Sequence, residues 1–283
     1  MAPLASFTLP LILSFVLDFI HRNRLSRPPG TGLAKNLRER ARFFAWKFAW
    51  RILFLALLLV SCGRNNGEPV LGFVFEIEGT ALSVPLQKPD RSRPLSARGS
   101  FAAGEEIRVP AESSVALCLI PGIYLRCIGP ARVKIDDLRV YKDGDETGNS
   151  MNMRRGAIRL GDGRFHVFLP RDGSARAELK IETEVGTLIA NPGALLSVTH
   201  TSESIRVLCV RGVVNWDTRT PGASIAAGYY CERKFASLAE APVLPASEDS
   251  AAQAEVMAAL DSADALTEVE TKLRNSPAPW RKP

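Results

Sequence analysis

From Val70 to about Phe235 the chain carries short runs in which apolar and polar residues alternate. Gly72-Phe73-Val74-Phe75-Glu76-Ile77-Glu78-Gly79, Glu106-Ile107-Arg108-Val109, Val115-Ala116-Leu117-Cys118-Leu119 and Ile205-Arg206-Val207-Leu208-Cys209 are the clearest. A period of two puts alternate side chains on opposite faces of an extended strand, and no stretch of this region holds a convincing 3.6-residue apolar period. Turn signals bound the runs: Pro121-Gly122, Asp162-Gly163, Asp172-Gly173 and Asn191-Pro192-Gly193. The pattern predicts an all-β domain over 70–235, a sandwich or a roll or solenoid-like sheet of short, mostly antiparallel strands.

Residues 236–246 read as a linker, and beyond Pro245 the texture changes. Ser247 is placed to cap a helix whose first turn carries Glu248 and Asp249. Val256, Leu260, Ala263, Leu266, Val269 and Leu273 then recur at helical spacing, and Lys272 and Arg274 sit at the end that the macrodipole makes negative. The spacing predicts an amphipathic helix over 247–276, stopped by Pro277 and followed by a tail to 283. Such a stripe serves either as a partner-binding or oligomerising surface or as the face that packs on the β domain. An Ala-rich stripe of under four heptads favours packing.

The amino-terminal residues follow another logic. Arg38-Glu39-Arg40-Ala41-Arg42 leads through an aromatic and basic stretch to Arg51 and the apolar run Ile52 to Val60. A positive segment before a short apolar one is the layout of a secretory signal, here 38–61, and the run is too short to span a bilayer. Leu59-Val60-Ser61-Cys62 then resembles the lipobox of bacterial lipoproteins. That resemblance implies cleavage after Ser61 and acylation of the Cys62 thiol, with two or three chains on one residue, enough for stable anchoring in membrane lipid. Gly63 in place of Asp implies the outer membrane, on the periplasmic side, with 62–69 as a linker. Residues 1–37 admit two readings, an additional membrane helix over Leu4 to Ile20 or an extension upstream of the true translation start, and the second is preferred.

Charge sharpens this division. The net charge is +6, but residues 1–61 hold nine Lys or Arg against Asp18 and Glu39, whereas the remainder carries 27 basic and 28 acidic residues. A nucleic-acid binder needs its basic face on the folded domain, so the high pI of this chain gives no support to nucleic acid as a partner.

Candidate chemistry is sparse. His166 lies in the alternating run Arg164-Phe165-His166-Val167-Phe168, on the polar face of a half-buried strand, and His200 lies in Thr199-His200-Thr201-Ser202, which reads as a turn. No Gly-x-Ser-x-Gly elbow, Gly-x-Gly-x-x-Gly or P-loop occurs. Asp143-Gly144-Asp145-Glu146 lacks the spaced ligands of a calcium loop and reads as a solvated loop. Cys118, Cys127, Cys209 and Cys231 contain no Cys-x-x-Cys pair, so zinc and thioredoxin-like readings fail; four thiols in an oxidising compartment allow three full pairings. No catalytic residue, metal ligand or cofactor is expected.

Several segments taken together resemble the periplasmic domain of the FecR family. They are Gly104-Glu105-Glu106-Ile107, Ser114 to Leu119 entering Pro121-Gly122, Leu125-Arg126-Cys127-Ile128-Gly129-Pro130, Arg155-Gly156-Ala157-Ile158, Ile181 to Gly186, Asn191 to Val198, Cys209-Val210-Arg211-Gly212-Val213-Val214 and Ala227-Gly228. The order and spacing of the set carry the resemblance, which spans about Phe73 to Arg233. Three positions depart from the pattern: Glu184 stands where Pro is usual, Asn191-Pro192-Gly193 replaces a Gly-Thr step, and Pro121 replaces the Asp of a hairpin. The register that the resemblance implies sends Val115, Leu117, Leu119, Leu125 and Cys127 into the core and Cys118 the other way. It thereby argues against a Cys118–Cys127 disulfide and for burial of Cys127 and Cys209.

These readings converge on a lipid-anchored cell-envelope protein that binds, scaffolds or senses without catalysis, with an envelope protein as the expected partner. The alternatives are a FecR-type regulator of a sigma factor signalling across the membrane and, less favoured, an envelope enzyme acting on glycans through acids such as Asp136 and Asp162.

Overall fold

The computed structural model describes residues 67–141, 153–171, 176–217, 223–236 and 241–274, with the backbone alone at 269, 270 and 272–274. In chain order the strands are β1 (Glu68–Pro69), β2 (Gly72–Glu78), β3 (Leu82–Pro85), β4 (Arg93–Pro94), β5 (Ser100–Phe101), β6 (Glu105–Val109), β7 (Ser114–Ile120), β8 (Ile123–Ile128), β9 (Ala131–Tyr141) and β10 (Met153–Leu160). They continue with β11 (Gly163–Phe168), β12 (Arg176–Thr183), β13 (Gly186–Ala190), β14 (Leu195–His200), β15 (Ser204–Arg211), β16 (Val213–Asp217), β17 (Ala223–Ala226), β18 (Tyr229–Lys234) and β19 (Val243–Pro245). One helix, α1 (Ser250–Arg274), follows.

The strands form two sheets. The first runs β17-β16-β13-β12-β10-β9-β6-β3-β4, with β1 paired to β9, and the second runs β19-β18-β15-β14-β11-β8-β7-β2-β5. From β7 onward the chain lays down one or two strands in a sheet, crosses to the other, and returns one place further along. This is the stacked, roll-like arrangement expected from short alternating runs between turns. Every described pairing is antiparallel except β10 with β12. That exception follows from the path: a single strand, β11, is spent in the second sheet before the chain returns, so β12 re-enters the first in the direction of β10.

Alternation sorts each strand into a core face and an outer face. Val115, Leu117, Leu119, Leu125, Cys127, Phe165, Val167 and Cys209 of the second sheet meet Ile107, Val133, Ile135, Ile158, Leu179 and Trp216 of the first in one apolar core. The register that the FecR resemblance implied for β7 and β8 is the one seen: Cys127 stands opposite Val115 and faces the core, whereas Cys118 stands opposite Tyr124 on the outer face. Asp136-Asp137 fits inside β9 because the β9–β10 ladder is bulged there, Ala157 facing Asp137 and Ile158 facing Ile135, so Asp136 is the unpaired residue.

In the second sheet β7 is buried on both faces: Ser114 to Ile120 are all buried, outer side included. The reason is α1, which lies on that outer face against Ala116, Cys118, Tyr124, Phe168 and Leu195 at one end and Leu208 and Tyr230 at the other. Its innermost line is Ala252, Ala259, Ser262, Ala263 and Leu266, while Val256 and Leu260 of the predicted stripe are half-buried flanks. Bulky side chains beneath the helix leave the closest positions to the small residues, so the contact line is rotated from the one that apolar spacing alone indicates. The cap also moves: Asp249, not Ser247, accepts the amides of Ala251 at 2.8 Å and Ala252 at 3.3 Å, and residues 246–248 form a 3-10 turn. Within the stretch read as a linker, β19 pairs with β18.

Candidate functional site

The lipobox with Ser61 and Cys62, the segment 1–61, the acidic loop Asp143 to Glu146 and the tail 277–283 lie outside the described residues. Among the described residues no helix is long and apolar enough to cross a membrane, and no group of three or more His, Cys, Asp or Glu is placed to hold a metal ion.

The two histidines are buried rather than half-buried or in a turn. His166 is 1% exposed because α1 covers the polar face of β11, and His200 ends β14, 4% exposed, with its ring 5.3 Å from that of Phe235. His166 Nδ1 lies 2.7 Å from Ser262 Oγ of α1. A serine against a histidine raises the question of a nucleophile and its base, and the geometry answers it. Ser262 Oγ donates to the Ala258 carbonyl at 2.9 Å, so the assignment that satisfies both contacts has His166 Nδ1 donating to Ser262. The proton then points away from the base, and both residues are shut off from solvent. Burial, followed by the charges of Arg164 and Arg126, holds the His166 pKa down at about 4, so the ring is neutral. The pair pins the helix to the sheet; nearby, Thr199 Oγ1 donates to Glu255 of α1 at 3.4 Å, and Arg206 bridges Glu232 at 2.8 Å and Asp249 at 3.5 Å.

Asp136 and Asp162, the acids of the glycan reading, are each held by arginine: Asp136 by Arg159 at 3.5 Å and Asp162 by Arg132 at 2.8 Å. Cys118, Cys127, Cys209 and Cys231 are all buried, and none forms a disulfide among the described residues. Burial pushes the Cys127 thiol far up and that of Cys209 to about 11, which makes both poor nucleophiles.

A concave site lies instead at the end of the second sheet. It has a volume of about 500 Å³ and is lined by the end of β11 (Phe168, Pro170, Arg171), the β13–β14 crossing (Pro192, Gly193), the β15–β16 turn (Arg211, Gly212) and Thr267 of α1. Its floor is fixed by backbone: Gly193 N–H donates to Leu169 at 2.7 Å, and Leu169 N–H to Ala194 at 2.9 Å. Gly193 and Gly212 have φ of +90° and +78°, and the two turns abut so closely that a Cβ on Gly212 would meet the Gly193 carbonyl at 2.9 Å. The stem of Arg171 crosses over Gly193, 3.7 Å from where a Cβ would stand. The contact between turns therefore brings Arg171 and Arg211 to one cleft. Sequence reading singled out neither arginine. The available signal was Gly193 and Gly212, but nothing in the chain tells which two turns touch.

The fold defines a two-sheet β protein of stacked strands with one covering helix. No protein-family model matches this chain, and no curated protein sequence matches it. Among solved structures, two crystal structures of a proposed anti-sigma factor from Parabacteroides distasonis align with it at a TM-score of 0.37 and 13% identity, over 50% of this chain and 59% of theirs. The chain thus spans less than two thirds of the length of the structures it matches.

Proposed function

We propose that this chain is a lipid-anchored cell-envelope protein whose FecR-like β domain is a non-catalytic binding or sensing module. The observation that carries the reading is the cleft at the end of the second sheet. It presents guanidinium groups, apolar walls and a Thr267 hydroxyl already donated to the Ala263 carbonyl at 2.8 Å. Such groups hold a ligand; they do not supply a nucleophile with its base. The two candidates for chemistry, Ser262 with His166 and the acids Asp136 and Asp162, are respectively shut under α1 and engaged with arginines. The lipobox Leu59-Val60-Ser61-Cys62 and the basic segment before it support the anchor, and the succession of FecR-like segments supports the assignment of the domain.

Mass spectrometry of the mature amino terminus with envelope fractionation tests the anchor. The parent is expected to begin at an acylated Cys62 and to sediment with membranes, and Cys62→Ala to remain as unacylated precursor. Equal masses and equal membrane retention for parent and variant refute the lipoprotein reading. Recovery of a sigma factor bound to the full-length chain would replace the sensing module with a sigma regulator.

A further inference from the structure

We propose that the cleft between Arg171 and Arg211 binds a small organic anion, a carboxylate or phosphate head attached to an apolar body. This deepens the binding-module reading by naming the ligand class, and rests on that reading for its role in the cell. The first ground is the treatment of arginine elsewhere in the domain. Arg93, Arg108, Arg126, Arg132, Arg139, Arg155, Arg159 and Arg206 each have a carboxylate within 4 Å. Among the described residues Arg171 and Arg211 have no ion pair, as is also true of Arg91, Arg98, Arg164, Arg176 and Arg233; what sets these two apart is that they line one concavity. Since residues 62–283 carry 27 basic and 28 acidic side chains, this is a local concentration of positive charge on a chain segment that is otherwise balanced.

The second ground is geometry. Arg171 and Arg211 stand on neighbouring turns and bring two positive charges to one cleft, where an oxyanion offers acceptors to the donor forks of both. The turns are locked by backbone hydrogen bonds and by the glycine contact, so little order remains to be imposed when a ligand arrives. The third ground is the rest of the lining. Phe168, Pro170 and Pro192 give the cleft apolar walls beside the charges. Its volume of about 500 Å³ suits a small molecule. A bare inorganic ion would use the arginines and leave those walls wet.

The test is isothermal titration of the purified full-length chain in detergent with phenyl phosphate, benzoate, inorganic phosphate and benzyl alcohol. Phenyl phosphate or benzoate is expected to bind saturably, the tighter of the two showing which head is preferred. Inorganic phosphate should bind several-fold more weakly for want of an apolar body, and benzyl alcohol not at all. Arg171→Gln and Arg211→Gln should each weaken the anion roughly tenfold, the loss of one charge-assisted contact. Arg91→Gln, an exposed arginine of the 3-10 turn Pro89–Arg91, should change nothing. Thermal melting of each variant confirms that it is folded, as expected for exposed side chains. Absence of saturable binding by either organic anion overturns the proposal, as does binding that survives both substitutions or is matched by benzyl alcohol. The titration is independent of Cys62, so its failure and the failure of the anchor are seen separately.

Discussion

Acid should loosen α1 from the second sheet, and His166 sets the size of the effect. In the unfolded chain the imidazole titrates near its ordinary value of 6.5; in the fold burial and the neighbouring Arg164 and Arg126 lower it to about 4. The unfolded state therefore binds the proton first. Stability attributable to the neutral ring is fully present above pH 6.5, falls as the pH drops from there toward 4, and levels off once the folded state also takes up the proton. A difference of 2.5 between those two values corresponds to about 3 kcal/mol at 1.36 kcal/mol for each pH unit. Other groups face the same interface. Glu255 has its pKa raised by burial, which works in the opposite direction, and Ser262, Thr199 and Arg206 complete the surroundings. Comparison with His166→Gln cancels these, because glutamine keeps a donor for Ser262 but does not titrate. Urea unfolding followed by circular dichroism at pH 7, 5.5 and 4 should show the parent losing about 3 kcal/mol more than the variant between the two ends of the range. Parallel losses in both proteins would show that His166 is not buried neutral beneath the helix, and the contact with Ser262 would fall with it.

Two further outcomes test the packing. Ala259→Leu adds three carbons at a helix position that is 0% exposed, where only a small side chain fits over the sheet, and should cost about 1–3 kcal/mol in urea unfolding; an unchanged midpoint would mean that α1 does not sit on this line. In the folded protein at pH 8, iodoacetamide should leave Cys127, Cys209 and Cys231 unmodified while the denatured chain reacts at all three, and non-reducing peptide mapping should recover no Cys118–Cys127 crosslink, since the two side chains leave opposite faces of the second sheet.

Much of the fold is legible along the chain because a strand's period of two is a local property. The runs at Gly72 to Glu78 and Ile205 to Cys209, and the turn at Pro121-Gly122, declare themselves without reference to anything distant. The inward direction of Val115, Leu117, Leu119 and Cys127 also follows, once the FecR resemblance supplies the register. The helix is legible in its existence and less so in its orientation. Apolar spacing pointed at Val256, Leu260, Ala263 and Leu266; Ala263 and Leu266 are buried as that spacing indicates, whereas Val256 and Leu260 are half-buried and the sheet beneath takes Ala259 and Ser262 for their small size.

What the sequence by itself determined is therefore local: which segments are extended, where they turn, that one amphipathic helix closes the chain, and which face of each strand is apolar. Tertiary structure alone decided the rest. It set the alternation between two sheets that makes β10 and β12 parallel, the burial of His166 against Ser262 across 96 residues of chain, and the placing of Arg171 and Arg211 on one cleft where two glycine turns touch. The physical reason is one of range. Alternation and turn chemistry act over two to four residues, while burial, ion pairing and the shape of a cleft depend on side chains that only the folded sheets bring together.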